Sequence, residues 1–299
     1  MNSRAQIALL PDGRRLHMQD GPIDLIVEAF GPPTSVRAAY AAAARRFSGV
    51  LDELCSELTL LRQPVAPGSA APTGSIAHRM HQAVLPYAPG TFITPMAGVA
   101  GAVAEEILEV MTRSAPLDRA YVNDGGDIAL HLGDGEQFVV GMVERPDRLS
   151  LFGTMCLDSA GPVRGIATSG WRGRSFSLGI ADAVTVLATR ASAADAAATI
   201  IANAVDLPGH PAIIRVPARE LSPDSDLGER LVTQSVGQLA DSEIAQALDS
   251  GLAVANSLLD GGLICAAALH LQGATRILQP ELPHRNFQTP AVDWSPVNA

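Results

Sequence analysis

The chain has 299 residues, of which 47% are hydrophobic and only 4% aromatic, and it carries a formal charge of −10. This length buries one large core, or two intimately packed lobes, without help from disulfides or metals. The acidic balance argues against nucleic acid or an anionic membrane as partner, and no apolar run reaches the roughly 20 residues of a membrane helix.

All 21 basic residues are arginine, and lysine is absent. That removes a lysine Schiff base, a lysine general base and the Walker-A phosphate loop. Any bound anion must then be held by Arg forks, backbone N–H groups, helix N-termini or a metal. Residues 1–10 lack the charged, apolar, small-residue order of a signal peptide, so a cytoplasmic protein is expected. Cys55, Cys156 and Cys265 are far apart and form no CxxC; three buried thiols are expected.

Taken in chain order, residues 6–10, 14–19 and 23–30 read as strands of a β-meander, separated by Pro11-Asp12-Gly13 and Asp20-Gly21-Pro22. Ser35 is placed to cap one long helix to about residue 62. A Pro/Ala/Gly-rich loop over 63–74 follows, then helices over 76–85 and 96–113. Strands are expected at 120–123, 128–132, 138–143, 149–157, 163–168 and 183–188. A small-residue helix opens at Ser192 and runs to 204, and 213–216 reads as a strand before a polar segment. A helix over 241–259, N-capped by Asp241, and a strand over 263–271 complete the order. The interleaving is not a strict βαβ alternation, so the fold class is α+β, with mixed or antiparallel sheets packed with helices. Residues 1–280 are expected to form one domain and 281–299 a tail.

Three segments carry candidate chemistry. In Asn123-Asp124-Gly125-Gly126-Asp127 the paired glycines allow positive φ and close backbone approach to a ligand, while the acids suit a cation or ligand hydroxyls. The same residues also suit a tight hairpin with no ligand. In the helix after Ser192, Asp195 and Thr199 stand at i and i+4 on one face, a pair suited to Mg²⁺; the alternative is a surface acid near a helix start. Finally, Thr168 and Ser169 end a strand that runs into Arg172 and Arg174. These arginines either grip a phosphate or carboxylate or solubilise a hairpin tip. His78 and His81, at i and i+3, read as a solvated helix face.

In order, Gly98-Val99-Ala100-Gly101-Ala102-Val103-Ala104-Glu105, Val122-Asn123-Asp124-Gly125-Gly126-Asp127-Ile128, Ala167-Thr168-Ser169-Gly170, Ala183-Val184-Thr185-Val186 and Ala194-Asp195-Ala196-Ala197-Ala198-Thr199 resemble the ApbE family. Its members are flavin transferases that move FMN from FAD to a protein threonine using Mg²⁺. The resemblance is nearest to their relatives in uncharacterised protein family 0280, and it spans about residues 94 to 205. It implies an ApbE-like fold, with Gly125, Gly126 and Asp127 lining a pocket for FAD or FMN. Asp195 and Thr199 match the Mg²⁺ pair, and Thr168 and Ser169 a strand end beside the pocket.

The transferases also carry a lysine before the glycine of the first segment and a His-Ile-Ile-Asp-Pro-type stretch after the Ser-Gly strand end. Here the lysine is absent and the interval 171–182 holds no histidine, with Phe176 near the place where the related branch carries one. Acid–base work would then fall to Asp182, Asp195 or Asp127. The expected function is a small-molecule-binding protein or enzyme holding a phosphorylated or carboxylated heterocycle, flavin-like, with Mg²⁺. The alternatives are an FMN transferase with a non-standard catalytic group and a non-catalytic binding module, with a homodimer expected.

Overall fold

The structure is a computed structural model that describes residues 4–145 and 148–279. Strands β1 (Gln6–Leu9), β2 (Leu16–Asp20) and β3 (Ile23–Phe30) form the expected antiparallel meander. The predicted long helix is instead three pieces, α1 (Pro33–Phe47), α2 (Val50–Ser56) and α3 (Leu58–Leu61). Ser35 lies inside α1, because the helix begins at Pro33, whose missing N–H and fixed φ suit a first turn. Ser48 and Gly49 break the run. Both are weak helix formers, and the bend between them lets Phe47 and Val50 both be fully buried.

After the loop come α4 (Ser75–Val84), a 3₁₀ turn, and α5 (Val99–Ser114), which is entered through a second 3₁₀ turn at Pro95–Gly98. Four strands follow: β4 (Arg119–Asp124), β5 (Asp127–Leu132), β6 (Gln137–Arg145) and β7 (Arg148–Asp158). Then β8 (Gly165–Ser169) and β9 (Ala183–Ala188) lead into α6 (Ala191–Ala204). The final third holds β10 (Ile213–Pro217), α7 (Ala218–Leu221), β11 (Leu231–Val236), α8 (Asp241–Asp260), β12 (Ala266–Leu271) and β13 (Ala274–Leu278). Helix α8 starts one residue earlier than expected: Ala240 holds the cap position, and its N–H donates to Glu243 Oε2 at 2.8 Å.

Nine strands make one sheet in the order β1-β2-β3-β4-β5-β8-β9-β12-β13, and every ladder in it is antiparallel. The fold class is therefore α+β. Helices cover one face. In one half, α1, α2, α4 and α5 pack on β2–β4 around Met18, Leu25, Phe47, Ile107 and Met111. In the other, α6 and α8 pack on β8, β9 and β12 around Val184, Ile201, Leu248 and Leu269.

The β6–β7 ribbon covers part of the opposite face, where Met155 and Leu157 meet Leu130, Ile166 and Leu187. Strand side chains alternate between faces; with both faces covered, β9 and β12 are buried at every position and read as unbroken apolar runs.

Two expectations fail on burial. Cys55 and Cys156 are exposed and Cys265 half-buried; Cys156 sits on an outward position of β7 beside Gln137 Oε1 at 3.2 Å. His81 is not on a solvated face, for it is 4% exposed on the side of α4 shared with Ala77, Met80 and Val84. Burial, with His78 nearby, lowers its pKa. Among the described residues no helix is long and apolar enough to cross a membrane. The predicted tail, 281–299, lies outside the described residues.

Candidate functional site

Strands β4 and β5 pair so that Asp124 lies directly opposite Asp127, with Gly125 and Gly126 as the two-residue turn. Both glycines have positive φ, +64° and +117°, as a tight hairpin requires. Asn123 Oδ1 accepts the Gly126 N–H at 2.7 Å, so that N–H is already committed and the turn is not an open anion nest. Arg174 lies over the turn. A Cβ at Gly125 would fall 2.9 Å from its Cζ, and its Nη2 is 3.8 Å from Asp124 Oδ1.

The second half of the site depends on how closely α5 meets α6. A Cβ on Gly101 would lie 2.7 Å from the Ser192 nitrogen, so only glycine admits the first turn of α6 at this distance. That approach brings Asp195 Oδ2 within 3.0 Å of the Gly101 N–H, at the opening turn of α5, where free N–H groups and the helix dipole favour a carboxylate. From the sheet side, Asp127 Oδ1 accepts the Thr168 N–H at 3.2 Å, and the Thr168 and Thr185 hydroxyls are 3.0 Å apart.

Asp124, Asp127 and Asp195 thereby share one electrostatic environment. Burial pushes the Asp124 carboxyl up to about 7, with Arg174 only partly opposing. Asp127 is raised by burial and then by Asp124, while the Thr168 N–H pulls the other way. Asp195 is raised well above the usual carboxylate range by burial first, then by Asp127 and Asp124. Both causes penalise the charged form: desolvation, and like charges facing one another. Asp127 and Asp195 nonetheless keep part of their surface open to solvent.

The remaining predicted residues divide. Thr168 joins the cluster, Ser169 follows it at the end of β8, and Thr199 stands one helical turn beyond Asp195 on α6. Asp182 is fully engaged: Oδ1 accepts from Arg172 Nε at 2.6 Å and Trp171 Nε1 at 3.2 Å, and Oδ2 from the Gln272 N–H at 2.7 Å. Arg172 also stacks on Trp171, 4.2 Å from the ring centre. The structure gives Asp182 and Arg172 to each other as a buried brace, whereas Arg174 faces the acids. Gly101 was not among the predicted site residues, and Asp124 was expected only as one of the two acids flanking the turn. Asp124 had a signal, since acids flanking a two-residue turn must stand opposite each other in the hairpin.

A nine-stranded antiparallel sheet covered by helices, with a glycine hairpin set beside a small-residue helix, defines an α+β protein. The chain belongs to the family described as AbpE bacteria, whose model matches residues 7–277. It is similar to the UPF0280 protein of Methanopyrus kandleri, 39% identical over 140 residues, 47% of this chain and 52% of that one. It is also similar to the UPF0280 protein of Methanothermobacter thermautotrophicus, 39% identical over 118 residues, 39% of this chain and 44% of that one. The chain thus spans about half the length of these curated relatives. Among solved structures it is similar to the ApbE protein of Thermotoga maritima, with 16% identity and a TM-score of 0.37, covering 83% of this chain and 76% of that one.

Proposed function

We propose that this chain binds a phosphorylated heterocycle of the flavin-nucleotide class together with Mg²⁺, in a crevice between the Gly125-Gly126 hairpin and α6. The observation that carries this reading is the convergence of Asp124, Asp127 and Asp195, each held above its ordinary protonation range by burial first, with Asp124 further raising Asp127 and both of these raising Asp195. Such a cluster calls for positive charge, and Arg174 supplies little of it from 3.8 Å.

Among the described residues, no group of three or more His, Cys, Asp or Glu side chains is placed to hold a metal ion by itself. Mg²⁺ is commonly held by one or two carboxylates with waters and ligand phosphates completing the octahedron. Asp127 and Asp195, with Thr199, are the oxygen donors of this chain that fit it. When bound, the ion would neutralise phosphate charge. Arg174, exposed and lying across the turn, is positioned to meet an anionic group of the ligand. With Asp182 committed to Arg172, any proton transfer at this crevice falls to Asp124, Asp127 or Asp195.

The test is thermal stability of the purified chain with FAD, FMN and Mg²⁺, singly and combined. A ligand at about 100 times its Kd stabilises by about 2.7 kcal/mol, and the largest upward shift is expected with nucleotide and Mg²⁺ together. An unchanged midpoint under every combination would overturn the reading.

A further inference from the structure

We propose a second ligand site, separate from the carboxylate crevice: a phosphate-binding cavity between α4 and the first turn of α6. The cavity measures about 700 Å³, within the usual range for small-ligand pockets. Its polar lining includes Ser75, His78, Arg79, Gln82, Arg190 and Ser192, with no carboxylate among its lining residues. In a chain with ten more acids than bases, a cavity walled by two guanidiniums and neutral hydrogen-bonding groups selects for an acceptor-only, anionic ligand.

The arginines are set in place from behind. Glu105 Oε2 accepts from Arg190 Nη2 at 2.8 Å and Nε at 3.2 Å, and from Arg79 Nη1 at 3.4 Å. Glu105 Oε1 accepts both the N–H and the hydroxyl of Ser192, each at 2.8 Å. The Ser192 N–H at the start of α6 is therefore already satisfied by Glu105, and the site does not rest on it. Arg190 spends one edge of its fork on Glu105, leaving Nη1 for a ligand; Arg79 is anchored further by Glu106 and Glu109. Fixing the guanidiniums before binding lowers the ordering cost. The three glutamates behind them outnumber the two guanidiniums and oppose their field, so only weak, millimolar affinity for a bare phosphate ion is expected. Neither Asp127 nor Asp195 lines this cavity.

Inorganic phosphate is the probe, titrated into the full chain and followed by calorimetry or ³¹P line broadening, with malonate as the carboxylate comparison. Phosphate should bind more tightly than malonate. Arg190→Gln should weaken it about tenfold or more, the loss of one charge-assisted pair. Gln82→Glu, at an exposed position on the cavity wall, should weaken it likewise by placing a like charge in the cavity. Asp195→Asn should leave it unchanged, which separates this site from the crevice. No phosphate binding, binding indifferent to both Arg190→Gln and Gln82→Glu, equal affinity for malonate, or loss in Asp195→Asn would each overturn the proposal.

Discussion

In the absence of divalent cation at pH 7.5, Asp124→Asn should be more stable than the parent chain, and the difference should vanish near pH 4. The folded carboxyl at 124 titrates near 7, against an ordinary value of 3.8. Between those values the folded protein keeps a proton that the unfolded chain has released, so folding stability falls as pH rises across the interval and levels off above it. The interval spans about three pH units, and at 1.36 kcal/mol per unit the full effect is about 4 kcal/mol, an upper bound for one independently titrating group. Asparagine keeps the shape and one acceptor oxygen but never carries the charge. Urea denaturation across pH 4–8 reads the outcome. The parent should lose stability over this range and the variant should lose less; equal slopes would mean that Asp124 is not held protonated by its surroundings.

The second large effect concerns the α5–α6 contact. Gly101→Val should cost about 3 kcal/mol or more, at the upper end of overpacking penalties, because the added atoms meet backbone rather than flexible side chains. The backbone of Ala191 and Ser192 cannot retreat without shifting α6, and with it Asp195, away from the Gly101 N–H. Gly49→Ala, by contrast, meets nothing within 4 Å and should change stability by about 0.5 kcal/mol or less. Thermal or chemical denaturation of the two variants makes the comparison; a Gly101→Val protein as stable as its parent would mean that α6 is not fixed by this contact.

Much of this architecture is legible along the chain. Strand β9 is found at its expected bounds because both of its faces are covered and its apolar run is unbroken. The β4–β5 hairpin is announced by its glycines, and α6 by its alanines. Other features escape a linear reading. The apolar spacing of α1 to α3 continues through the Ser48-Gly49 bend, so periodicity alone makes one helix of three. Strand β11, whose centre reads Thr-Gln-Ser, is stabilised by pairing with β10 rather than by its own pattern, and β13 follows a tight turn at the sheet's edge.

The site divides in the same way. Asp127 and Asp195 stand out because turn chemistry and the i, i+4 rule are local. That Asp182 is consumed by Arg172, Trp171 and Gln272 depends on a partner 90 residues away. Nothing in the local pattern distinguishes that acid from a free one.

The most direct test of the central claim counts protons. If Asp124, Asp127 and Asp195 form one crevice that is neutralised by protons until a divalent ion takes their place, Mg²⁺ added with FAD at pH 6.5 must displace those protons. Calorimetry in buffers of different ionisation enthalpy should then record the release of about one proton or more per site, and Asp195→Asn should remove both the binding and the release. Mg²⁺ binding with no proton released, or release undiminished in Asp195→Asn, would contradict the account.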